Sequence, residues 1–109
     1  MLLKPGAVIA GLHPVMRKPL KVAERIWKAN GISEGITITA GLDGVHTASS
    51  WHYCGCAVDL RTRYFSETSL AVVISQLKQK LPGYDIVTHS SHIHIEPGDA
   101  LAKDWGLMQ

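Results

Sequence analysis

His92-Ile93-His94-Ile95-Glu96, closed by Pro97-Gly98, alternates polar and apolar residues along its length. A strand turns successive side chains to opposite faces. Both imidazoles and the Glu96 carboxylate therefore share one face, and both isoleucines take the other. The isoleucine face must be buried, which predicts a sheet with a core on one side and a polar surface on the other. Upstream, Tyr84-Asp85-Ile86-Val87 reads as a partner strand, entered from Pro82-Gly83 and left through the polar turn Thr88 to Ser91. The two strands are expected to pair as an antiparallel hairpin.

Working outward, Ala57-Val58-Asp59-Leu60-Arg61 reads as a strand with Asp59 and Arg61 opposite Val58 and Leu60. Ile36-Thr37-Ile38-Thr39 is another, alternating and β-branched. Between them, Ala40 to Trp51 is a loop rich in Gly, Ser and Thr. Met16, Leu20, Ala23 and Trp27 recur at helical spacing, with Ile26 beside them. That helix is expected to start at His13-Pro14 and to end at Asn30-Gly31, with a kink or restart at Pro19. Leu70, Val73, Ile74, Leu77 and Leu81 mark the buried face of a second helix, capped by Ser66 or Thr68 and stopped by Pro82-Gly83. Met1 to Leu12 reads as an irregular arm with room for a short extended piece, and Leu101 to Trp105 as a helical turn. Trp27 and Trp105 are expected in the core or at its edge, and Trp51 and Tyr53 as packing residues beside His52. The order predicts one α+β domain over residues 1–109: a mostly antiparallel sheet, helices on one face, the other face open for a site.

Composition narrows the function classes. With 11 basic and 9 acidic residues the formal charge is +2, and no basic stripe stands out, so nucleic acid is not an expected partner. No stretch approaches the ~20 apolar residues that span a bilayer. No leader is visible at Met1-Leu2-Leu3-Lys4-Pro5-Gly6, so the expected location is the cytoplasm, or release by something other than a leader. Cys54 and Cys56 do not make a disulfide framework, and no second pair completes a structural zinc knot. They read as small reduced residues beside the loop.

The chemistry lies on the polar face. If the Asp59 strand lies close to the His92–His94 strand, the carboxylate and one imidazole converge. His52 arrives from the preceding loop, which Gly55 lets turn back tightly. Two nitrogens and one carboxylate oxygen are the donor set of a catalytic zinc with an open fourth position for water. Zinc brings the pKa of such a water toward ~7 and polarises a carbonyl, which is the chemistry of amide or ester hydrolysis. The base must stand within hydrogen-bond reach, and His92, His89 and Glu96 are the candidates. His13 reads as a helix-start residue and His46 as a loop residue able to line the cleft.

The run Ser50-x-His52-x-x-Gly55-x-Ala57-x-Asp59, followed by His92-x-His94, resembles the signature of the zinc metallopeptidase family that contains D-alanyl-D-alanine carboxypeptidases and phage endolysins. That family is related to the murein endopeptidases and the Hedgehog signalling domain. The resemblance spans about residues 13 to 96 and implies a Hedgehog/D-Ala-D-Ala peptidase-like fold. Carried over by position, it implies zinc on His52, Asp59 and His94, with His92 beside the metal. Many members have a glutamate base where this chain has His89; the pattern His89-x-x-His92-x-His94 is similar to the murein endopeptidases instead. The substrate-binding arginine of many members would fall near Asp43, and Arg61 or Arg63 are the available substitutes.

With the zinc chemistry read from the residues, the resemblance implies a zinc peptidase acting on peptidoglycan stem peptides or cross-links, of phage endolysin type. It would be released to the wall by a phage pore or carried in a virion. His92 and His89 are the expected catalytic residues, and Ser50, His46 and Arg61 the expected substrate contacts. The rival is a metal-binding or virion structural module of the same fold without catalysis.

Overall fold

Four of the strands hold one another through the residues singled out above. The computed structural model describes residues 1–41 and 55–107. In chain order the elements are β1 (Leu2–Leu3), a 3₁₀ turn (Pro14–Met16), α1 (Arg17–Ala29), β2 (Thr37–Ala40), β3 (Val58–Arg61), α2 (Glu67–Lys80), β4 (Tyr84–Thr88), β5 (His92–Pro97) and α3 (Asp99–Asp104). The sheet order is β1-β2-β3-β5-β4. Three neighbouring pairs are antiparallel, and β1 lies parallel to β2, so the α+β fold has a mixed sheet. That parallel edge is the short extended piece of the arm at the start of the chain. Leu2 N–H donates to Ile36 O at 2.8 Å and Lys4 N–H to Ile38 O at 2.9 Å, which lays the arm along β2.

The core lies under the apolar faces of β3 and β5. Val58, Leu60, Ile93 and Ile95 have no exposed surface, and Val58↔Ile95 and Leu60↔Ile93 are cross-strand partners. Met16 from the 3₁₀ turn, Ala23 and Trp27 from α1, and Val73 and Leu77 from α2 pack into the same cluster. Each fully buried aliphatic side chain contributes about 1.5–3 kcal/mol. Burying the Trp27 indole N–H would be costly without an acceptor. It donates to Tyr64 Oη at 2.9 Å and to Arg61 O at 3.3 Å, tying α1 to the end of β3.

Pro19 does not kink the first helix. The 3₁₀ turn ends at Met16, so Pro19 falls in the first turn of α1, where a backbone N–H has no intrahelical acceptor to lose. His13 caps that turn, its Nδ1 accepting from Val15 N–H at 3.0 Å. Ser66, and not Thr68, caps α2, accepting from Ser69 N–H at 3.1 Å. Trp105 is not a core residue: it is 48% exposed and meets the His13 ring edge-on at 5.6 Å. Trp51 and Tyr53 lie outside the described residues.

Candidate metal centre

The register of β3 and β5 decides what meets on the polar face. Asp59 pairs with His94, and Arg61 with His92. Directly opposed residues on antiparallel strands project to the same side, so both pairs stand on the face away from the isoleucines. Asp59 Oδ1 lies 2.8 Å from His94 Nδ1. The other ring nitrogen, Nε2, lies 2.6 Å from Glu96 Oε1, two residues further along β5. His94 is therefore gripped by a carboxylate on each side. Burial of the ring opposes its charge, but hydrogen bonds and the negative charge of Asp59 and Glu96 outweigh it and raise the pKa above the usual 6.5.

Glu96 is the residue whose role changes most. It was a candidate base; its carboxylate is instead engaged with His94 Nε2. Metal-ligating histidines characteristically donate their second ring nitrogen to such a carboxylate, which fixes the tautomer and ring plane. The period of the strand already placed Glu96 in phase with His94, which was the available signal.

His92 stands next to the pair, with Nε2 3.8 Å from Asp59 Oδ2. His89 stacks on His92, ring centroids 4.7 Å apart and planes 21° from parallel. The hairpin turn brings them together, with His89 N–H donating to His92 O at 2.9 Å. Gly55 shapes the chain just before β3. Its φ is +74°, and an added Cβ would stand 2.7 Å from Gly11 O, so the N-terminal arm closes on it. Its carbonyl accepts from His13 N–H at 2.8 Å. Cys56, just beyond, is buried.

Among the sequence-predicted site residues, Asp59, His92, His94, His89 and Arg61 are thus gathered on or beside one face. His52, His46 and Ser50, together with Cys54, lie outside the described residues. Among the described residues no group of three His, Cys, Asp or Glu side chains is arranged to hold a metal ion. The Asp59–His94 pair nonetheless fits a zinc donor set. Ligand atoms at ~2.0 Å from one tetrahedral ion stand roughly 3.3 Å apart. The observed 2.8 Å separation needs only a small opening to reach that. Comparisons of the chain with protein-family models, with curated proteins and with solved structures find no match.

Proposed function

We propose that this chain is a zinc-dependent peptidase of Hedgehog/D-Ala-D-Ala peptidase-like fold, hydrolysing an amide bond in peptidoglycan stem peptides or cross-links in a phage endolysin-like role. One observation carries the reading. Asp59 and His94 oppose each other at 2.8 Å while Glu96 occupies the far nitrogen of His94. A structural ion pair would not require the second carboxylate; a metal-ligating imidazole is well served by it.

In this reading His52, Asp59 and His94 hold the zinc, and Glu96 keeps His94 turned with Nδ1 toward Asp59. When bound, zinc supplies a Lewis acid that polarises the scissile carbonyl and acidifies water to near neutrality. His92 takes the proton from water as its oxygen bonds to the carbonyl carbon, and returns it to the amine nitrogen as the C–N bond breaks. His89, stacked on that ring, limits its rotation and is the second imidazole able to carry the proton.

The rival, a metal-binding or virion structural module without catalysis, is favoured by two features: His89 stands where many peptidases of the resembling family place a carboxylate base, and Asp43 falls near the place of their substrate-binding arginine. Purified murein cast in a gel separates the two. Clearing that a chelator abolishes and zinc restores is the expected result. One zinc per chain with no clearing rejects the peptidase and leaves the metal-binding module; weak or absent zinc rejects both of these and leaves the virion structural module.

A further inference from the structure

β4 closes one end of the sheet, and its outer side is open. Gly98 N–H donates to Gly83 O at 2.7 Å and His89 N–H to His92 O at 2.9 Å, so these two bonded pairs bracket the β4–β5 ladder. Bonded pairs alternate along an antiparallel ladder, so Asp85 and Val87 spend their backbone groups on β5. Tyr84, Ile86 and Thr88 turn theirs outward. Tyr84 N–H reaches Leu81 O at 3.2 Å. Among the described residues, Tyr84 C=O and the N–H and C=O groups of Ile86 and Thr88 have no backbone partner. The usual guards of an edge are missing. The strand holds no Pro or Lys, its register against β5 runs without a bulge, and Tyr, Ile, Val and Thr all suit extended backbone. Beside this edge a groove of about 580 Å³ runs along α2, floored by Leu70, Ala71 and Ile74. α2 reverses into β4 through residues 81–83, so Lys78 stands at the Tyr84 end of the groove and Glu67 at the Thr88 end.

We propose that the occupant of this edge is a second copy of the chain, joined β4 to β4 about a twofold axis at Ile86. The outward groups are self-complementary there. Ile86 of each copy exchanges both backbone bonds with Ile86 of the other, and Tyr84 C=O accepts from Thr88 N–H across the axis. The antiparallel turn also brings the Glu67 end of each groove beside the Lys78 end of the other, so unlike charges meet on both sides of the axis while the apolar floors adjoin. A parallel copy would set Glu67 beside Glu67 and Lys78 beside Lys78, which selects against it. Closure uses up the open edge. The opposite edge, β1, spans only Leu2–Leu3, so association stops at the dimer. Both polar faces then lie on one side of a continuous sheet, with the two β5 strands three strand spacings, roughly 14 Å, apart. The pairing depends neither on metal nor on hydrolysis.

The test is sedimentation velocity of the full chain in chelator over a wide range of concentration, with amide hydrogen exchange read at the ends of that range. A reversible monomer–dimer equilibrium is the expected result, with exchange at Ile86 and Thr88 slowing as the dimer forms. Thr88→Pro removes an outward donor and no bond to β5, so it should weaken the dimer about tenfold or more with the circular dichroism unchanged. Glu67→Lys and Lys78→Glu leave the strand intact, and each should weaken the dimer about threefold. Combined, they should restore it, because the exchanged charges still meet across the axis. Both substitutions oppose the dipole of α2, so a purely structural effect would make the double variant worse. A chain that stays monomeric, a dimer indifferent to Thr88→Pro, exchange at Ile86 and Thr88 that ignores concentration, or no restoration in the double variant overturns the pairing. A monomer whose Ile86 and Thr88 amides are protected only by an added extended peptide, acetyl-Thr-Val-Thr-Val-Thr-amide, overturns it too and gives the edge to a foreign strand.

Discussion

His94 has an acceptor at each ring nitrogen, and that arrangement makes separable predictions for its neighbours. Glu96→Gln keeps a hydrogen-bonding side chain but removes the charge that fixes the ring. Zinc affinity should fall by ~10–100-fold, read by competition with a chelating dye, with little change in the unfolding midpoint. Asp59→Ala and His94→Ala should lose zinc outright, because each deletes a donor atom. His92→Ala should keep its zinc and lose turnover. Equal zinc loss in all three alanine variants would mean that His92, and not only its neighbours, holds the metal.

The two faces of the β4–β5 hairpin should respond differently to the same kind of change. Ile93 is fully buried in the core cluster, so Ile93→Ala should cost about 2–5 kcal/mol in urea unfolding. Val87, across from His94 on the polar face, is 46% exposed. Val87→Ala should stay within about 0.5 kcal/mol. Similar losses at both positions would mean that the polar face is covered in solution. This two-faced character was legible in the alternation of His92 to Glu96, as was the hairpin itself. The boundaries of α1 were less so. Pro19 allows either a kink or a restart, and only the structure shows the restart, a 3₁₀ turn that moves the start of the α-helix to Arg17.

At the scale of the whole molecule, protons and metal should compete through His94. Its pKa is raised in the folded chain, so the charged ring stabilises the metal-free fold. That contribution is fully present below the unfolded value near 6.5 and is lost as pH rises through the higher folded value. Among the described residues, the carboxylates facing the ring, Asp59 on β3 and Glu96 on β5, raise that value. Zinc requires the unprotonated nitrogen, so its binding should strengthen over the same rise in pH. Urea midpoints measured from pH 6 to 9 should therefore drift down in chelator and hold or climb with zinc. Parallel curves would show that His94 is not where the two cations compete.

Local alternation by itself determined the α+β character, the buried isoleucines, and the shared face of His92, His94 and Glu96. Side-chain direction in a strand follows from backbone geometry alone, so no distant contact is needed to read it. Only the tertiary structure decided that Asp59 stands opposite His94 and Arg61 opposite His92, because register is fixed by how the two apolar faces bury together. The same holds for Glu96 closing on His94 Nε2 and for Lys4 reaching the cleft beside Asp59 and His92. Lys4 arrives through a parallel strand pairing separated from β2 by more than thirty residues, which leaves no local pattern in the chain.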